Sequence, residues 1–160
     1  MLLNFDLFEF DKVYNLLIWL NIMESKRVLT FGSFDLIHQG HHHFLKNAKE
    51  LGDELIVALS RDEHIRKYKG SFMYGEQERI RQLMKIDCVD KVMLDFKDKF
   101  EILDNVRPYV IALGYDQGDC FKNKLEIEVS ERGLNTEIVR LDSFMPEKYK
   151  SSLLKDMGRR

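Results

Sequence analysis

The run from Thr30 to His41 reads TFGSFDLIHQGH and joins a short apolar segment to one with helical periodicity. Val28–Phe31 predicts a buried strand, and Gly32 permits a tight turn that a ligand can approach closely. The stretch Gly40–Leu51 predicts a helix whose first turn faces the end of that strand. Because N–H groups and the positive end of the helix dipole point into such a gap, this junction favours an anion such as phosphate.

Two histidines stand at this junction, three residues apart. His38 and His41 can add directed hydrogen-bond donors to the anion site. His42 and His43 extend a run of three consecutive histidines, which suggests a metal site. Adjacent helical residues point in different directions, however, so the three side chains cannot share one ligand shell. The sequence therefore predicts a phosphate site here and no protein-bound metal.

Length, charge and cysteine content limit the class of protein. The chain has 160 residues, which suits one domain with a real core. A net charge of -2 disfavours nucleic acid and anionic membranes as partners and favours a small molecule. Cys88 and Cys120 have no metal-binding spacing, and with no secretory signal pattern they indicate a reducing, cytoplasmic compartment. The apolar run Leu16–Leu20 is too short to span a membrane.

The rest of the chain alternates strand and helix patterns, which predicts an α/β fold with a doubly wound parallel sheet. Residues 1–24 precede the first strand and are interpreted as an N-terminal extension of uncertain order, followed by one domain over residues 25–160. Ligands of open parallel sheets bind beyond the carboxyl ends of the strands, where the strand order reverses. Further strands are predicted at 54–59, 91–94, 109–113 and 136–140, helices at 75–86, 100–106 and 121–132, and a short helix or turn at 61–69.

The motif His38-Gln39-Gly40-His41, with the Gly-Ser-Phe-Asp turn before it, resembles the signature of the cytidylyltransferase-like nucleotidyltransferases. The resemblance implies a Rossmann-like, five-stranded HxGH nucleotidyltransferase fold with strand order 3-2-1-4-5, and commonly a homodimer. It extends through later blocks of the chain: Gly52–Val57, Ser60–Asp62, Lys69–Gly70, Arg79, Val89–Val92 and Leu113–Gln117.

The resemblance also implies roles for individual residues. The catalytic groups would bind the triphosphate and stabilise its developing charge: His38, His41 and Lys69. Asp35 would bind the acceptor or help to hold a magnesium ion that the triphosphate binds, and the alternative is a turn-forming role. Ser151 and Ser152 precede an apolar run and also suit a helix N-cap, which is compatible with binding phosphate. The expected nucleotide-binding residues are Phe31, Gly32, Ser33, Phe34, Gly40, Arg79, Gly114, Asp116, Gln117, Ser151 and Ser152.

Two branches of the family compete as models for the reaction. The chain departs from glycerol-3-phosphate cytidylyltransferases at Gln39, at Asp87 and in its last motif, Met145–Ser151. Leu113–Gln117 and the terminal Ser-Ser are more similar to the archaeal branch that adenylylates FMN. The expected reaction is transfer of AMP from ATP to the phosphate of FMN, giving FAD and pyrophosphate, with Mg²⁺ accompanying ATP. The alternatives are a CTP-dependent cytidylyltransferase for glycerol 3-phosphate or a similar phosphorylated alcohol, and a non-catalytic nucleotide-binding module.

Overall fold

The sheet is built from five parallel strands in the order β3-β2-β1-β4-β5, which confirms the predicted fold class. The computed structural model describes residues 12, 16, 25–96, 98–145, 147 and 148. Most of the predicted extension, as well as Ser151 and Ser152, lies outside these residues. The strands are β1 (Arg27–Gly32), β2 (Glu54–Leu59), β3 (Lys91–Leu94), β4 (Val110–Leu113) and β5 (Glu137–Arg140).

Helices connect successive strands and cover both faces of the sheet. None of the helices in the described residues is long and apolar enough to cross a membrane. The helices are α1 (Gln39–Lys49), α2 (Asp62–Lys69), α3 (Glu76–Leu83), α4 (Ile102–Val106) and α5 (Asp119–Glu131).

Alternate residues of β1 point to opposite faces of the sheet and pack in two separate hydrophobic cores. Val28 packs in the core on the α1 side together with Leu45. Leu29 and Phe31 pack in the core on the α4 and α5 side, together with Leu125. Because helices cover both faces, the central strands are nearly continuous apolar runs.

The strand register places four loops at one edge of the sheet. Leu29 of β1 pairs with Ile56 of β2 on one side and with Ile111 of β4 on the other. The chain therefore leaves β1, β2, β3 and β4 at the same carboxyl edge. The order reverses between β1 and β4, so the cleft expected for a ligand opens there.

Helix boundaries differ from the predicted ones by a few residues. α5 begins at Asp119, two residues earlier than the predicted start, since the acidic side chain suits the positive end of the helix. α4 begins at Ile102 rather than at Phe100, whose N–H donates to Oδ1 of Asp98 at 3.0 Å in a preceding turn. α3 ends at Leu83, three residues before the predicted end.

Candidate active site

The amino end of α1 faces the carboxyl end of β1, as the sequence predicts. His38 is the N-cap residue, in an extended conformation with φ -143° and ψ 174°. Its carbonyl accepts hydrogen bonds from the N–H groups of His41 at 2.9 Å and His42 at 3.2 Å. The N–H groups of Gln39 and Gly40, which precede these bonds, have no acceptor within the helix, so this end of α1 can bind an anion.

The imidazole rings of His38 and His41 stack on each other, with centroids 3.9 Å apart and planes 25° from parallel. Burial, followed by the charges of His38, His42 and Lys69, lowers the pKa of His41 to about 3. Burial also lowers the pKa of His38, and nearby Asp116 offsets part of this change. Both rings are therefore neutral at pH 7, and a neutral imidazole carries one N–H donor.

The low pKa of His41 predicts a pH-dependent stability. The unfolded chain binds this proton below about pH 6.5, whereas the folded protein excludes it until about pH 3. Stability from this group is complete above pH 6.5 and falls as the pH drops, by about 2 kcal/mol at pH 5. Urea unfolding at pH 7.5 and pH 5 should show this loss in the parent and a smaller loss in His41→Ala. Equal losses in the two proteins would contradict the assignment.

Lys69 brings a positive charge to the loop that follows β1. Its Nζ donates a hydrogen bond to Oγ of Ser33 at 2.9 Å. Lys69 is the last residue of α2, and Gly70 after it has φ 79°, a conformation that suits glycine. The structure thus places Lys69 and Ser33 together at the carboxyl edge of the sheet, and their binding of phosphate stays a prediction.

Asp35 holds the loop that follows α2. Oδ1 of this buried side chain accepts hydrogen bonds from the N–H groups of Met73 at 2.7 Å and Tyr74 at 2.9 Å. These bonds tie residues 71–75 to the turn between β1 and α1. The geometry gives Asp35 a positioning role, and its binding of the acceptor stays a prediction.

Arg79 lies beneath the cleft and is fully buried, although the sequence suggested direct contact with nucleotide. Its guanidinium donates to the carbonyls of Tyr74, Ser33 and Ser60 and to Oδ1 of Asp62, at 2.7–2.9 Å. These partners belong to three different loops at the carboxyl edge. Arg79 therefore holds together the loops that form the site. We interpret it as a positioning residue and not as a residue that contacts the nucleotide.

Gln117 connects the ends of β1 and β4 across the point where strand order reverses. Its Oε1 accepts the N–H of Gly114 at 2.7 Å, and its Nε2 donates to the carbonyl of Phe31 at 3.2 Å. A Cβ at Gly114 would lie 3.2 Å from Oδ1 of Asp116, so glycine keeps this turn close to the exposed carboxylate. The end of β1 and the block Gly114–Gln117 are therefore in contact at the point where the strand order reverses.

The turn after β1 depends on close packing between Gly32 and Phe34. A Cβ at Gly32 would come within 2.4 Å of the Phe34 ring. Phe34 is buried, has φ 42°, and lies 5.1 Å from the ring of His41 between centroids. Gly32 therefore leaves room for the ring that supports His41.

A cavity of about 270 Å³ opens at the carboxyl edge beside this anion site. Its presence there was not predicted, since seven of its twelve lining residues follow β2 or β3, four of them in α2. The available signal was that polar residues such as Asp95 come immediately after predicted strands. The cavity is lined by Phe31, Gly32, Ser33, Ser60, His64, Ile65, Tyr68, Lys69, Asp95, Lys99, Gln117 and Phe121.

The other two histidines of the run point elsewhere. His42 is exposed, and the ring of His43 stacks on Phe144 with centroids 4.7 Å apart. Asn47 Nδ2 donates to Nε2 of His43 at 3.0 Å. Within the described part of the chain, no group of three or more His, Cys, Asp or Glu side chains is arranged to hold a metal ion.

The fold and this anion site define a nucleotidyltransferase, and comparison with known proteins gives its family. Residues 29–157 match the model of the cytidylyltransferase-like family. The chain therefore belongs to the cytidylyltransferase-like family, which confirms the predicted resemblance.

Within the family, the chain is similar to archaeal FAD synthases. It is 43% identical over 127 residues to the FAD synthase of Archaeoglobus profundus, covering 79% of this chain and 81% of that one. It is 46% identical over 124 residues to the FAD synthase of Korarchaeum cryptofilum, covering 75% of this chain and 84% of that one. The similarity thus extends over most of both proteins.

Two solved structures are similar to this fold. The lipopolysaccharide core biosynthesis protein of Thermoplasma volcanium superimposes with a TM-score of 0.69 and 33% identity, over 75% of this chain and 98% of that one. The pantoate-beta-alanine ligase of Francisella tularensis, at 15% identity and a TM-score of 0.56, shares the fold over 85% of this chain and 70% of that one.

Proposed function

We infer that the chain is a nucleotidyltransferase that transfers AMP from ATP to the phosphate of FMN, giving FAD and pyrophosphate. The observation that carries this conclusion is the similarity to FAD synthases over most of the chain, joined to paired neutral imidazoles at the amino end of α1. An oxygen of the FMN phosphate attacks the α-phosphorus of ATP. A new P–O bond forms, the bond to the bridging oxygen of the β-phosphate breaks, and pyrophosphate leaves.

The reaction needs no nucleophile from the protein. The FMN phosphate is an anion near neutral pH, with a second pKa of about 6 for a phosphate monoester. The protein must therefore align two anions and offset the charge that builds up on the α-phosphate and the leaving group. In our proposal, His38, His41 and the first turn of α1 donate to those oxygens, and Lys69 supplies positive charge.

Asp116 and Gly114 lie beside this phosphate site, and we propose that they bind the nucleoside. Their position follows from β4, which ends next to β1 on the side of α1 where Phe44 approaches Gly114. Mg²⁺ would arrive as part of the Mg-ATP substrate, since this ion usually keeps several waters and few protein ligands.

Product analysis tests the proposed reaction. Purified protein is incubated with Mg-ATP or Mg-CTP and with FMN, glycerol 3-phosphate or phosphoethanolamine, and products are identified by mass. We expect FAD and pyrophosphate from ATP with FMN. Formation of CMP-linked product without any AMP transfer would contradict the proposal. Nucleotide binding in calorimetry without pyrophosphate release would instead indicate a non-catalytic module.

A further inference from the structure

The cavity shares Ser33 and Lys69 with the anion site and extends from there over the face of the sheet opposite α1. Phe31 lines it, and the side chain of Phe31 belongs to the core under α4 and α5, away from α1. Gly32 and Ser33 at the end of β1 also border it, so the cavity reaches the place where phosphate would bind. Two ligands could therefore meet at the end of β1, one from each face.

One wall of the cavity is aromatic. The rings of Phe31 and Phe121 meet edge to face with centroids 5.5 Å apart, and Phe100 lies behind Phe121 at 6.3 Å. Nζ of Lys99 lies over the Phe121 ring, 4.1 Å from its centroid. The volume of about 270 Å³ lies near the lower end of the range of about 300–1,000 Å³ for ligand pockets. Such a wall suits a flat, largely apolar ring system.

Asp95 places a buried carboxylate in this cavity. The side chain is 7% exposed, and its Oδ1 has no hydrogen-bond partner among the described residues. The backbone of Asp95 is fixed at both ends: its N–H donates to the carbonyl of Leu59 at 2.9 Å, and its carbonyl accepts from Nε of Arg61 at 2.6 Å. Because a buried polar atom without a partner is costly, Oδ1 is an open acceptor position for a ligand.

Two basic side chains flank this carboxylate. Nδ1 of His64 lies 3.7 Å from Oδ2 of Asp95, on the oxygen other than the open one. The ammonium of Lys99 is half-buried and interacts electrostatically with Asp95. Burial raises the pKa of Asp95, while His64, Lys99 and Ser60 offset part of the rise. The cavity thus presents one acceptor oxygen next to a cationic donor.

We propose that this cavity binds the isoalloxazine ring of FMN, with Oδ1 of Asp95 accepting the N3–H of the flavin and Lys99 donating to the adjacent carbonyl. The imide edge of a flavin presents C=O, N–H and C=O in sequence, and the carboxylate and ammonium match part of this pattern. His64 positions the carboxylate through Oδ2. The inference rests on the proposed function, because that function makes FMN the acceptor.

The test compares FMN with N3-methyl-FMN, in which the donor is blocked. Quenching of flavin fluorescence measures binding of each compound to the full chain, and FAD formation is measured separately. We expect the parent protein to bind N3-methyl-FMN about 10- to 100-fold more weakly than FMN. Asp95→Ala should weaken FMN binding by a similar factor and bind both compounds nearly equally. Asp95→Asn, which keeps an acceptor oxygen, should retain part of the discrimination.

Asp87→Ala is the matched control. Asp87 is an exposed carboxylate in the turn before β3, at the amino edge of the sheet. This variant should therefore prefer FMN to N3-methyl-FMN by the same factor as the parent. Equal binding of FMN and N3-methyl-FMN by the parent would overturn the inference even where FAD is formed. Discrimination without FAD formation would support the cavity assignment and contradict the proposed reaction. The comparison of the two ligands with the parent protein is itself a test of the inference, so misfolding of a variant does not prevent it.

Discussion

Replacing His41 with alanine is expected to lower kcat for FAD formation by about 100- to 1,000-fold. This is the typical cost of removing one preorganised donor from an anionic transition state. Since the interaction strengthens as charge builds up on the phosphates, KM for ATP should change much less than kcat. His38→Ala should have a similar effect, because the two stacked rings offer neighbouring donors. Steady-state rates of FAD formation under saturating Mg-ATP and FMN provide the measurement.

His42→Ala is the control for this experiment. His42 is the next residue of α1, and its side chain is exposed. Its removal should leave kcat within about twofold of the parent, since a solvated side chain outside the site rarely contributes more than a few tenths of a kcal/mol. If His41→Ala or His38→Ala formed FAD at the parental rate, the proposed role of the paired imidazoles would be wrong.

Arg79→Leu is expected to destabilise the protein by about 3–5 kcal/mol, the usual cost of breaking a buried ion pair by removing one partner. The replacement leaves the Asp62 carboxylate and three loop carbonyls without their donor. A typical domain has about 5–15 kcal/mol of stability in total. The effect should therefore appear as a large drop in the urea midpoint, measured by circular dichroism.

Arg81→Leu separates this role from the loss of a positive charge on α3. Arg81 lies two residues away in the same helix, but its side chain is 69% exposed and pairs with Glu78 at the surface. We expect a change below about 1 kcal/mol for this variant. Arg79→Lys should recover only part of the loss, because an ammonium lacks the planar set of donors that reaches several loops. Equal destabilisation by Arg79→Leu and Arg81→Leu would refute the positioning role.

Local sequence patterns were sufficient to predict the strands of the sheet and the junction between β1 and α1, where the candidate anion site lies. Apolar runs such as Glu54–Leu59 and the helical periodicity after Gly40 depend on neighbours within a few residues, which a single sequence displays. The alternation of these elements restricts the topology to a few handed connections. The strand order 3-2-1-4-5 was expected from the family resemblance and is confirmed.

The roles of individual charged residues were harder to predict. Arg79 lies in a polar helical segment, where an arginine normally faces solvent. Its burial depends on carbonyls of Ser33 and Ser60, which are 46 and 19 residues away. The cavity was also hard to predict. The environment of the Asp95 carboxylate depends on where His64 and Lys99 lie around it, and only the folded structure gives those positions.

The sequence by itself determined where strands and helices form, at which edge of the sheet the candidate site lies, and that two imidazoles face the end of β1. These features follow from short-range periodicity and from the geometry of parallel strands. Only the tertiary structure decided that His41 is neutral, that Arg79 joins three loops, and that a carboxylate lines an aromatic cavity. The physical reason is that the energy of an ionisable group depends on its burial and partners, which come from distant parts of the chain.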